Sequence, residues 1–130
     1  MAGLTTHIVV GICTGMVYHC IDIVYRLTDL SIFIVIPAMV IASVIPDVLS
    51  VVYMQYLVIK SDRNPRRALS IDGNLLLYFV LSFLVLIPYL ILLITSYLPP
   101  AYFLLINVWI ITLWSHYVLD KTIDEKNPFL

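Results

Sequence analysis

Residues Leu75–Ser96 read LLLYFVLSFLVLIPYLILLITS, twenty-two positions with no charged side chain and a single proline, Pro88. At about 1.5 Å of rise per residue an α-helix of that length spans about 33 Å, matching the roughly 30 Å hydrocarbon core of a bilayer. Lipid offers no partner for backbone N–H and C=O groups, so a segment this apolar is stable there only if it bonds within itself, as a helix does. Working outward, three further runs follow the same pattern. Leu4–Tyr25 is interrupted only by His19 and Asp22, and Leu30–Ile45 is apolar up to Pro46-Asp47. Ala101–Leu119 follows the turn forced by Pro99-Pro100. The fold expected is an all-α integral membrane protein, one domain over residues 1–130 with four transmembrane helices. Val48–Ile59 is too short to span alone. It is expected as a broken continuation of the second helix past Pro46, or as an interfacial segment, ending near Lys60 where Tyr53 and Tyr56 suit the headgroup region.

Composition agrees. The chain is 62% hydrophobic and 12% charged, against about 25% charged residues in ordinary soluble domains, too few to cover a water-facing surface. Seven basic and eight acidic residues, net charge −1, give no electrostatic footprint for a nucleic-acid partner. Cys13 and Cys20 both lie in an apolar run, which argues against a disulfide framework. No basic cluster precedes the first apolar run and no small-residue cleavage site follows it, so this run reads as a retained helix. With four crossings, Lys60, Arg63, Arg66, Arg67, Lys121 and Lys126 fall on one side and only Arg26 on the other. The positive-inside rule makes the six-residue side cytoplasmic, so both termini are expected there, in a multi-pass protein of the cell membrane.

The same topology gathers ionisable residues. His7 lies one turn into the first helix, Asp47 ends the apolar run of the second, and His116 and Asp120 sit four apart on one face of the fourth. All are expected at the cytoplasmic end, with Asp72 able to join them. Intramembrane ionisable groups are costly and usually functional. Two imidazoles and two or three carboxylates at one level suit zinc or another divalent metal. The plainer reading is that such groups are solvated, cap helix ends, or that Asp120 pairs with Lys121 or Arg67.

Three landmarks carry a family resemblance. Thr6-His7-Ile8-Val9-Val10-Gly11, Ile45-Pro46-Asp47-Val48 and Ser115-His116-Tyr117-Val118-Leu119-Asp120-Lys121-Thr122 occur in that order, with Pro128 beyond. In motif order, spacing and length the chain resembles the membrane-bound metal-dependent hydrolases, small inner-membrane proteins. The resemblance implies a metal site at His7, Asp47, His116 and Asp120. It also marks departures. Leu49 and Ser50 stand where the family has an aspartate and a histidine. Asn64–Ser70 lacks the two histidines of the family's loop. Half the implied ligand set is missing and no general base is evident, so the site is expected to be a degenerate relic.

Other features have two readings each. Gly11-Ile12-Cys13-Thr14-Gly15 is a GxxxG pattern, for packing within the chain or, second, homodimerisation. His19, Cys20 and Asp22 suggest a metal or heme, but more simply a structural His/Asp pair, with Asp22 bonding Arg26. Tyr18, Tyr25, Tyr53, Tyr56, Tyr97, Tyr102, Trp114 and Tyr117 read as an aromatic belt. Arg63, Arg66 and Arg67 fix topology or touch anionic lipid. Asn107, mid-helix, needs a partner on a neighbouring helix or subunit. The function expected is a non-catalytic subunit of a membrane assembly, cellular or viral, partnered by other membrane subunits or by copies of itself. The alternative is a metal-dependent hydrolase acting on a lipid or phosphoester at the cytoplasmic face. Charges confined to helix ends disfavour a transporter or channel.

Overall fold

A computed structural model describes residues 3–61, 75–96 and 99–122. Four helices make up the fold: α1 (Leu4–Tyr25), α2 (Ile32–Ile59), α3 (Leu75–Ile94) and α4 (Tyr102–Thr122). Each is long and apolar enough to cross a bilayer, and no strand occurs among the described residues. The chain is an all-α membrane protein. Asp72, Arg63, Arg66, Arg67 and Tyr97 lie outside the described residues.

The α1–α2 turn is built from one acidic side chain. Arg26 takes a left-handed conformation (φ 51°) and its N–H donates to the Asp22 carbonyl, closing α1. The Asp22 carboxylate is buried and accepts from the Thr28 N–H and, at 2.7 Å, from the Thr28 hydroxyl. Ser31 then caps α2 by accepting from the Phe33 N–H. Asp22 is therefore a turn anchor whose carboxylate is taken up by Thr28.

The expected break at Pro46-Asp47 is absent. α2 starts at Ile32 and runs through Pro37 and Pro46 to Ile59, 28 residues in all. A proline removes one amide donor, whereas a break in lipid would strand several, so the continuous helix wins. Ser50 Oγ donates to the Pro46 carbonyl at 3.0 Å, tying the helix together just past the proline. At about 1.5 Å per residue α2 is about 42 Å long, so it tilts or projects beyond a hydrocarbon core of about 30 Å.

Close packing of α1 on α2 depends on the GxxxG pattern. A Cβ on Gly11 would lie 2.6 Å from Val40 Cα and Ser43 Oγ, and one on Gly15 3.0 Å from Ile36 Cα. The glycines thus face α2, and they serve packing within the chain. Tyr18, Val35 and Met39 form the core, with Leu105, Val108 and Trp109 of α4 laid against it. Tyr18, expected in the belt, is only 1% exposed. α4 runs parallel to α2, with Thr112 beside Met39 and His116 beside Ser43. α3 docks on α4 through aromatics: Trp114 Nε1 donates to Ser82 Oγ at 3.0 Å, and Tyr78 packs against Trp114 and, edge-on, Tyr117. Asn107 finds a first partner within its own helix, its Nδ2 donating to the Phe103 carbonyl one turn back at 2.8 Å. Both cysteines are free.

Overpacking a tight contact typically costs 1–3 kcal/mol. Gly11→Ala is expected to lower stability by about 2 kcal/mol, because Val40 backbone would lie only 2.6 Å from the added Cβ, and Gly15→Ala by about 1 kcal/mol, because its nearest backbone atom is at 3.0 Å. Denaturant unfolding in detergent measures both; equal losses would contradict the asymmetry at this interface.

Candidate metal centre

Antiparallel α1 and α2, with α4 returning parallel to α2, bring one end of all three helices together. His7 comes from the first turns of α1 and Asp47 from the second half of α2. His116 and Asp120 come from the last turns of α4. His7 and His116 are fully buried side chains (0% exposed), Asp120 is 8% exposed and Asp47 23%. All four residues singled out from the sequence meet here.

The geometry is organised around His116. Its Nδ1 lies 2.6 Å from the Ser43 carbonyl oxygen, which can only accept, so Nδ1 carries a proton. In the neutral imidazole this leaves Nε2 as a lone pair. That nitrogen lies 3.1 Å from Asp120 Oδ2 and 3.5 Å from Asp47 Oδ1. Neither approach is aligned as a hydrogen bond, and Nε2 is a buried atom without a hydrogen-bond partner among the described residues. The Nε2 edge therefore faces two carboxylates, an arrangement balanced by a proton on Nε2 or by a bound cation. The backbone carbonyl behind Nδ1 is the outer contact that typically fixes a ligating histidine in its tautomer and orientation.

His7 completes the cluster. Its ring stacks on His116 with centroids 3.7 Å apart and planes 15° from parallel, and its Nε2 lies 3.1 Å from Asp120 Oδ1. Asp120 thus touches both imidazoles with separate oxygens. Lys121 Nζ sits over the Tyr117 ring, 5.5 Å from its centroid, and Arg67, the other cation the sequence offers Asp120, lies outside the described residues. One donor atom from each of His7, Asp47 and His116 lies within 4.8 Å of the others. Two ligands on a tetrahedral zinc at about 2.1 Å are about 3.4 Å apart, close to the 3.5 Å between His116 Nε2 and Asp47 Oδ1. The donor set of two nitrogens and a carboxylate suits zinc and related divalent ions.

Two contributors escaped sequence reasoning. The Ser43 carbonyl is backbone and carries no side-chain signature, although Ser43 lies four residues before Asp47 and so on its helical face. Tyr78 of α3 is fully buried with its ring 6.3 Å from that of His116, walling the cluster on that side. It reads in sequence as one more apolar-run aromatic.

Fold and cluster together define a four-helix membrane protein with a possible His/Asp/His metal-binding group near one end of the bundle. No family model matches the chain, and no curated protein or solved structure matches it either.

Removing one partner from a buried charged network costs about 3–5 kcal/mol. His116→Ala, which takes from Asp120 one of its two imidazole neighbours and leaves a buried hollow beside His7, is expected to cost about 3 kcal/mol in denaturant unfolding without added metal. Asp47→Asn, at the open edge, should cost under about 1 kcal/mol. Similar losses for the two would show that His116 does not organise the cluster.

Proposed function

We propose that this protein is a membrane-embedded, metal-dependent hydrolase acting at the cytoplasmic face of the cell membrane on an ester or phosphoester at headgroup level. The observation that carries the reading is the buried His116 Nε2, turned toward the Asp47 and Asp120 carboxylates by the Ser43 carbonyl behind it. His7, Asp47 and His116 would hold one divalent ion, matching catalytic zinc sites of two histidines and one carboxylate. Such an ion activates a water molecule and polarises the substrate oxygen. The chain's own share is positional. Ser43 orients His116, the stack with His7 sets the second imidazole, and Asp120, against both rings, serves as the proton acceptor. The resemblance to the membrane-bound metal-dependent hydrolases supports the same site, and the bias of Lys and Arg supports the cytoplasmic orientation.

A second reading, a non-catalytic subunit of a membrane assembly, is favoured by one observation. Ser50, where the resembling family has a histidine, is 2% exposed and spends its hydroxyl on the Pro46 carbonyl. That position serves the helix here.

Metal analysis of the purified protein separates the two. The hydrolase reading expects one divalent ion per chain, lost in His116→Ala. Changes to groups that orient or assist ligands typically weaken binding about 10–100-fold, and Asp120→Asn is expected to do so while the ion is still bound at saturation. A wild-type protein that takes up no divalent metal and co-purifies with fixed partner chains would establish the subunit reading instead.

A further inference from the structure

The end of the bundle opposite the candidate metal centre holds a second polar recess. Asp22, Ile23, Arg26, Thr28, Asp29 and Leu30 line a pocket of about 470 Å³ where α1 turns into α2. At about 1.5 Å of rise per residue, Asp22 lies about 22 Å along α1 from His7, so this pocket shares no residue with the cluster around His116. Asp22 carries its carboxylate to Thr28, whose N–H and hydroxyl both donate to it. The exposed Arg26 guanidinium and Asp29 carboxylate have no hydrogen bond or ion pair to another side chain among the described residues. An ionised carboxylate has roughly four lone-pair positions, so Asp22 keeps acceptor capacity on the pocket wall after two bonds from Thr28. The pocket thus offers one cation and two carboxylates side by side, and Arg26 is the one basic side chain at this end among the described residues.

The walls give a direction to whatever enters. Arg26 caps α1, at the level where the helix leaves the hydrocarbon, and Ile23 lies about one turn deeper. Ile12, Met16 and Ile23 recur at helical spacing on one exposed apolar face of α1. A molecule with its polar head in the pocket therefore runs its chains down this face toward the bilayer centre. The chains gain nothing there over bulk lipid, so preference is set at the head. A phosphate pairs with the Arg26 guanidinium, and a primary ammonium has three N–H donors for Asp22 and Asp29. A choline head carries positive charge but no N–H. A head with negative charge alone meets two carboxylates with a single guanidinium to offset them.

We propose that this pocket binds the headgroup of a phospholipid bearing a primary ammonium, with its phosphate on Arg26 and its ammonium at Asp22 and Asp29. Asp29 distinguishes the ammonium, and Arg26 holds the phosphate common to all phospholipids. The inference is independent of the hydrolase reading, since it uses none of the residues of the candidate metal centre.

The test is native mass spectrometry of the full-length protein in detergent, titrated with dioleoyl phosphatidylethanolamine, phosphatidylcholine and phosphatidylglycerol, whose chains are identical. The ethanolamine lipid is expected to bind at least about fivefold more tightly than either of the others, the scale of a charge-assisted hydrogen bond at a partly open site. Asp29→Asn is expected to bring the ethanolamine and choline lipids within about twofold of each other. Arg26→Gln is expected to weaken both alike and keep their ratio. Both side chains are exposed, and circular dichroism of each variant is expected to match the wild type. Equal binding of the ethanolamine and choline lipids by the wild type, preference for the glycerol lipid, or an undiminished ratio in Asp29→Asn overturns the inference. Soluble glycerophosphoethanolamine at the lipid's concentration is expected to leave the lipid bound; its displacing the lipid would overturn a membrane lipid as the occupant.

Discussion

A hydrogen-bonding group placed among lipid tails has to find its partner within the protein, and in this chain that requirement is met most densely around His116. One ring nitrogen is held by the Ser43 carbonyl of α2 and the other faces carboxylates from α2 and α4. The ring face lies on His7 of α1. A single side chain thus fixes the register of three helices at one end of the bundle. Apolar surface cannot do this, because a leucine facing lipid and a leucine facing another helix are nearly equivalent in a membrane.

That contact is possible only because the backbones come close. Gly11 stands against Val40 and Ser43, one helical turn beyond His7, and a Cβ there would push α1 away from the stretch of α2 that supplies the Ser43 carbonyl. Pro46 acts beside it. By removing the amide that would bond the Ala42 carbonyl, it loosens the helix ladder next to the carbonyl that receives His116. Small residues, a proline and a hydrogen-bonded histidine are therefore one device, in which close approach makes the polar contact and the polar contact holds the approach.

The spans were legible because lipid imposes a length and a composition that Leu75–Ser96 displays without ambiguity. The convergence of His7, Asp47, His116 and Asp120 was legible from topology alone, since alternate crossings return to the same face. What the sequence did not reveal follows from physics that is not written in residue type. Continuity of α2 through Pro46 depends on the cost of stranding amides in lipid, which a proline read as punctuation understates. The Thr28 partner of Asp22 and the carbonyl partner of Asn107 are local closures that depend on backbone placement, as does the role of Ser43. Trp114 and Tyr117, whose positions fit a belt, are drawn inward because Tyr78 and Ser82 offer partners on α3.

Charge balance bears on whether the cluster is a relic. Two carboxylates lie among two fully buried imidazoles, so with neutral rings the group carries two negative charges in a poorly solvated place. Two added protons or one divalent cation restore neutrality. Protonating both rings sets two cations face to face at 3.7 Å, a repulsion of about 4 kcal/mol at an effective dielectric constant of 20. A single divalent ion reached by donors from His7, Asp47 and His116 supplies the same charge without it, and it uses the Nε2 lone pair that the Ser43 contact leaves toward the carboxylates. The two routes to neutrality thus differ in where the charge sits, on the rings or carboxylates for added protons and between the donor atoms for a divalent ion.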